Sequence, residues 1–125
     1  MMSQISEAEA VVMEVLWGQH PLSADEVIAR LPAGNEWAEA TVKTLLNRLL
    51  NKAAISASKE GRRFLYAPLV QRDAWLLEES SSLIERLFDG RVAPLVAHFS
   101  QHQRLSRDDV AELRKLLEEL DDEQR

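Results

Sequence analysis

Lys43, Thr44, Asn47, Arg48 and Asn51 recur at the interval of one helical stripe. Their side chains share a chemistry. Lysine and arginine donate to phosphate oxygens and to guanine O6 and N7. Asparagine pairs with adenine, and a threonine methyl can touch that of thymine. On the opposite stripe, Val42, Leu45, Leu46, Leu49 and Leu50 fall at i, i+3, i+4, i+7 and i+8, an apolar face for a core. The segment Ile55 to Pro68 alternates, breaks at Lys59-Glu60-Gly61-Arg62 and resumes at Arg63-Phe64-Leu65-Tyr66. That pattern predicts a β-hairpin with a basic, glycine-containing tip. A polar-faced helix followed by a basic hairpin is the reading end of a winged helix-turn-helix.

The charge distribution agrees. The chain of 125 residues has a net charge of −6, which taken alone argues against a nucleic-acid partner. Residues 1–40 carry −6, residues 41–72 carry +6 and residues 73–125 carry −6. The positive set is Lys43, Arg48, Lys52, Lys59, Arg62, Arg63 and Arg72. Local potential, not net charge, governs contact with a polyanion. A winged-helix protein–protein interaction module without sequence-specific DNA binding is the alternative. It has no need of clustered bases on helix and wing.

Other chemistry finds little support. There is no cysteine, so disulfides, thiolate catalysis and cysteine metal sites are excluded. Four glycines form no phosphate-cradling loop, and no nucleophile elbow or catalytic triad is present. No enzymatic activity and no cofactor are expected. His98 and His102 stand at i, i+4, a metal-ligand spacing, but lack a third ligand, so no metal is expected. No apolar run approaches the roughly 20 residues that span a bilayer. The segment Met1 to Glu9 lacks the pattern of a secretory signal. A cytoplasmic protein without membrane insertion is the expectation.

The elements that must hold the reading helix announce themselves by their caps. Ser6-Glu7-Ala8-Glu9 and Ser23-Ala24-Asp25-Glu26 are capping boxes that open two helices. The first, ended by Gly18, should bury Val11, Val12, Val15 and Leu16. The second should bury Val27, Ile28 and Leu31 and stop near Pro32. Pro21-Leu22 reads as a short extended link between them. The reading helix should run from about Trp37 to Ala53, with Trp37 anchoring its entrance. Its cap is ambiguous between Asn35 and Ala38. Further helices are predicted from Arg72 or Asp73 to about Phe88, from Val92 to Phe99, and from Ser106 to Leu120. A charged tail, Asp121 to Arg125, should fray. The fold class is therefore mainly α with a small β-hairpin wing. Residues 1–70 form a winged-helix DNA-binding domain, and residues 71–125 a helical dimerisation region. The apolar stripes of 73–120 exceed what three short helices can bury among themselves, which points to a homodimer.

Several runs carry a likeness. Ile5-Ser6-Glu7-Ala8-Glu9, Val15-Leu16-Trp17, Pro21-Leu22-Ser23-Ala24 and Thr41-Val42-Lys43-Thr44-Leu45-Leu46-Asn47-Arg48-Leu49 resemble the penicillinase-repressor family. So do Lys59-Glu60-Gly61-Arg62, Tyr66-Ala67-Pro68-Leu69-Val70 and Pro94-Leu95-Val96-Ala97. The resemblance implies a homodimeric winged-helix transcriptional repressor that binds a palindromic operator in double-stranded DNA. Antibiotic-responsive members are released by a sensor-linked protease that cuts an Asn-Phe bond in the C-terminal region. The matching pair here is His98-Phe99. Copper-responsive members use a C-terminal cysteine motif, which this chain lacks.

The expected DNA contacts follow. Lys43, Thr44 and Asn47 reach base edges, Arg48 meets either a base or a phosphate, and Thr41, with the start of the second helix near Ser23 and Ala24, lies by the backbone. Arg62 and Arg63 at the wing meet phosphate or the minor groove.

Overall fold

The computed structural model describes residues 4–124. Three of its helices begin at serine capping boxes. Helix α1 spans Glu7–Gly18: Ser6 accepts from the Glu9 amide, and the Glu9 carboxylate accepts from the Ser6 amide. Helix α2, Ala24–Ala29, repeats this with Ser23 and Glu26. Each box satisfies two otherwise orphaned amides.

Helix α3, Glu39–Asn51, starts without one. Its cap is Ala38, which offers no side-chain acceptor. Asn35 instead takes the Trp37 amide at 3.0 Å, so it shapes the approach rather than capping the helix. The helix is accordingly shorter at both ends than its apolar pattern suggests. Strands β1, Ile55–Glu60, and β2, Arg63–Pro68, pair antiparallel with Glu60 opposite Arg63. Gly61 supplies the positive φ of +62° that this two-residue turn needs at its first central position. Leu22 exchanges two backbone hydrogen bonds with Tyr66, at 3.0 and 2.7 Å, which ties the link before α2 to the wing.

These elements share one core: Val12, Met13 and Leu16 from α1, Leu22, Val27 from α2, and Val42, Leu45, Leu46 and Leu49 from α3. Ile5, Ala54 and Ile55 close it. Each fully buried aliphatic side chain contributes about 1.5–3 kcal/mol. The face of α1 is rotated from the expected one. Met13 is fully buried, whereas Val11 and Val15 are only half-buried. Trp37 packs against the core edge as expected.

Helix α4 spans Arg72–Phe88, α5 spans Val92–Gln101, and α6 spans Arg107–Glu123 behind a third capping box, Ser106 with Asp109. Contacts divide the chain into two compact units, the first ending at Leu76 and the second beginning at Leu77. In the first unit the opening turn of α4 lies against α1. Trp75 meets Trp17 with ring centroids 5.3 Å apart, and Arg72 Nε donates to Glu14 Oε1 at 2.7 Å. In the second unit, no residue of α5 or α6 is buried. The charged tail expected to fray from Asp121 is helical as far as Glu123. Arg125 and the start of the chain, Met1 to Ser3, lie outside the described residues.

Candidate nucleic-acid interface

Because α3 spends Val42, Leu45, Leu46 and Leu49 on the core, its other face is left to solvent. Thr41, Lys43, Thr44, Asn47 and Arg48 are all exposed on it. Two hollows flank this face. Thr41, Thr44 and Arg48 line a shallow groove of about 270 Å³ on one flank, with Ala40 and Leu45. Lys43 faces the other flank, where α2, α3 and the wing enclose a cleft of about 390 Å³. Arg62, Arg63, Phe64 and Tyr66 form the wing side of that cleft. Asn47 lines neither. Of the seven expected residues, Lys43, Arg62 and Arg63 line the cleft and Thr41, Thr44 and Arg48 the groove, on the exposed face of α3 and the wing beside it.

Thr44 donates its hydroxyl proton to the Ala40 carbonyl at 2.9 Å, one turn back. The hydroxyl proton is thereby committed, which leaves the hydroxyl oxygen as an acceptor and the methyl as an apolar contact for a ligand. Arg48, Lys59 and Arg62 have no ion-pair partner among the described residues.

The sequence pattern overstated the free positive charge. Lys52 does not belong to the reading face. Its Nζ sits 2.5 Å from Glu9 Oε1 and 2.8 Å from the Gln4 carbonyl, bracing the start of α1. Glu9 is almost wholly buried. Burial pushes its pKa up, but the hydrogen bonds from Lys52 and Ser6 outweigh burial and hold it below the ordinary value. Arg72 is likewise engaged, by Glu14 on α1. Spacing along the chain does not reveal which acid a long side chain will meet, so neither engagement is visible in the sequence.

Acids that sequence reasoning did not single out sit among the remaining bases. Glu39 lies 2.9 Å from Lys43, one turn earlier on α3. Its hydrogen bond and charge raise the Lys43 pKa. Glu26 lies 3.8 Å from Arg63 across the cleft. Its pKa is lowered, first by the Ser23 amide and hydroxyl of its capping box and also by Arg63. Asp25 lines the same cleft. The i, i+4 interval from Glu39 to Lys43 was the available signal for the first of these pairs.

In the second unit, His98 and Phe99 lie within the last turns of α5, and Phe99 is exposed. The His98 ring lies tilted against those of His102, Phe88 and Phe99, at centroid distances of 4.6, 6.2 and 6.3 Å. Among the described residues no group of three or more potential ligands could hold a metal ion. No helix of the described residues is long and apolar enough to cross a membrane.

Comparison with known proteins places this geometry. The chain is 35% identical over 116 residues to the penicillinase repressor of Bacillus licheniformis, covering 93% of this chain and 91% of that one. It is 32% identical over 114 residues to the methicillin resistance regulatory protein MecI of Staphylococcus aureus, covering 91% and 93%. The solution structure of the monomeric form of B. licheniformis BlaI in complex with the blaP half-operator superposes with a TM-score of 0.51. The two are 38% identical, and the match covers 58% of this chain and 89% of that one. The DNA-binding domain of the repressor BlaI superposes with a TM-score of 0.52 at 39% identity, covering 58% and 88%. The family model described as penicillinase repressor matches residues 5–119, and the chain belongs to that family.

Proposed function

We propose that this chain is a DNA-binding transcriptional repressor that recognises a palindromic operator as a homodimer. The observation that carries this reading is the two-sided α3. Its apolar stripe is locked into the core, so its polar stripe is presented rigidly beside a basic wing. Helix α3 enters the major groove, where Lys43, Thr44 and Asn47 reach base edges. Thr41 and Arg48 lie by the backbone, and Arg62 and Arg63 carry the wing to phosphate or the minor groove. The relative solved with its half-operator, alike over the winged-helix part, supports the same mode.

The second unit supplies the dimer contacts. Leu77, Leu83, Leu87, Val92, Phe99, Leu116, Leu117 and Leu120 are exposed there. Phe99, Leu105, Leu113 and Leu116 line a groove of about 440 Å³ rimmed by Arg104, Asp109 and Glu112. A second copy covers this surface. Relief of repression runs through the same unit, by a sensor-linked protease acting at His98–Phe99. Because that bond lies inside α5, cutting it requires the last turns of the helix to unwind first.

The test is a footprint of the purified protein on DNA upstream of its own coding region. A protected palindrome with half-sites about one helical turn apart, or a multiple of it, is expected. Protection without two-fold symmetry would overturn the dimer model. No protection above random DNA would favour the protein–protein interaction module.

A further inference from the structure

We infer that Glu39 is a specificity-determining residue, which sets discrimination between operator and random DNA by competing with phosphate for Lys43. The inference rests on the DNA-reading role proposed above for α3. Both partners lie on the exposed part of the reading helix, with side chains 58% and 60% accessible, so the pair is open to exchange with a ligand. Its separation of 2.9 Å is that of a direct charge-assisted hydrogen bond. An exposed i, i+4 pair of this kind is weak, and a phosphate or base edge can displace it.

On DNA that places no guanine within its reach, Lys43 can offer its ammonium only to phosphate. While Glu39 holds it, the pair carries no net charge and releases no counterion. Breaking the pair to reach a phosphate leaves a carboxylate stranded beside a polyanion. On a site with guanine in reach, the ammonium donates to O6 and N7 and the broken pair is repaid. Glu39 therefore lowers affinity for every sequence that fails to repay it. The cleft extends the arrangement, since Glu26 stands against Arg63 in the same way at the longer distance of 3.8 Å. Arg48 and Arg62 have no such partner among the described residues. Non-specific attraction is thus left to them, while the cation aimed at bases is held in check.

The experiment measures affinity of the full chain for the footprinted duplex and for a random duplex of equal length, across a salt series. The variants are Glu39→Gln, Lys43→Ala and their combination. Glu36→Gln is the control, because it removes the same charge from an exposed acid just ahead of α3. Glu39→Gln should tighten random-DNA binding and steepen its salt slope by about one unit, the signature of one more neutralised phosphate. The ratio of operator to random affinity should fall roughly threefold or more. Combined with Lys43→Ala, the Glu39 change should have no further effect.

An unchanged ratio in Glu39→Gln overturns the inference. So does an equal effect from Glu36→Gln, which would make it a matter of overall charge. Loss of operator affinity in Glu39→Gln also overturns it, because the carboxylate would then be a direct base contact. If the wild-type chain itself fails to prefer the operator, the underlying reading fails instead, and the wild-type ratio shows which has happened.

Discussion

The two units of this chain use the same kind of sequence pattern and reach opposite ends. Helices α1 to α3 and helices α4 to α6 are all amphipathic. In the first unit the stripes converge until Val12, Met13, Leu16, Val27, Val42, Leu46 and Leu49 lose all contact with solvent. In the second unit α5 and α6 bury no residue, and Leu117 remains 61% exposed. Amphipathic patterning states that a face will be covered. It does not state by what. The first unit finds its cover within the chain, through the hairpin and the Leu22–Tyr66 bridge. The second, on the proposal above, finds it in another copy.

The largest expected effect breaks that contrast directly. Truncation after His98 removes α6 and with it Leu116, Leu117 and Leu120. Sedimentation should then give the monomer mass, where the full chain should give about twice its 14.2 kDa. Operator affinity should fall by a factor that can reach about 10² to 10⁴, the effective-concentration advantage of two linked half-sites. Half-site binding should survive, since every proposed DNA contact lies in the first unit. A truncated chain that dimerises and binds the full operator as tightly as before would refute the model.

The next effect falls on the first unit alone. Glu9 closes a capping box and receives Lys52 with little solvent around it. Glu9→Ala leaves the Ser6 amide without its partner and Lys52 with the Gln4 carbonyl alone. Breaking a buried pair costs roughly 3–5 kcal/mol, so about 2–3 kcal/mol is expected here, because Lys52 is partly exposed. Chemical denaturation of the winged-helix unit measures it. The pH dependence has a definite sign. Glu9 titrates below its ordinary value of 4.5 in the folded chain. Its contribution is therefore complete above about pH 4.5 and is lost as pH falls through the lower folded value. Glu9→Gln should flatten the acid limb of the stability profile. An unchanged acid limb would show that ionisation of Glu9 adds no stability.

Much of the first unit was legible because its signals are local. Two serine boxes, a glycine turn and the 3.6-residue stripe of α3 each fix backbone within a few residues. What escaped reading was the destination of long side chains. Lys52 reaches back to Glu9 and Gln4, and Arg72 reaches Glu14, across 43, 48 and 58 residues of chain. Only the fold brings such pairs together. The rotation of α1 that buries Met13 in place of Val11 has the same origin, since two adjacent apolar stripes compete and the packing of α3 and β2 decides. The division of the reading face between groove and cleft was equally hidden, because it depends on where the wing stands beside α3.

Within the reading face, helix and wing should differ in kind. Lys43→Ala or Asn47→Ala should cost about 1–3 kcal/mol at one operator base pair and relax preference there. Arg62→Ala, without an acid partner, should weaken operator and random DNA alike and flatten the salt slope by about one unit. Arg63→Ala should do so less, because Glu26 already offsets part of its charge. Competition titrations against single-base operator variants make the distinction. Wing variants that alone alter sequence preference would reverse the assignment.

The smallest effects sharpen the contrast by testing whether the first unit is fully optimised, and α3 shows that it is not. The helix ends in a Schellman arrangement, with the Ala53 amide donating to the Leu50 carbonyl and the Ala54 amide to the Leu49 carbonyl, both at 3.0 Å. The residue that must turn left-handed there is Ala53, at φ +58°. An L side chain pays about 1–2 kcal/mol for that conformation and glycine does not. Part of the gain from Ala53→Gly is returned as entropy of the unfolded chain, so a net stabilisation of about 0.5–1 kcal/mol is expected. Ala53 is exposed, so no packing is lost. At the other end, Ala38 already has the extended backbone of a cap, φ −68° and ψ 155°, without an acceptor. Ala38→Ser should add about 0.5–1 kcal/mol. The two sites lie at opposite ends of a 13-residue helix, so their effects should add within about 0.5 kcal/mol. Thermal unfolding of the single and double variants checks this. A destabilised Ala53→Gly would mean that its methyl makes a contact outweighing the backbone strain.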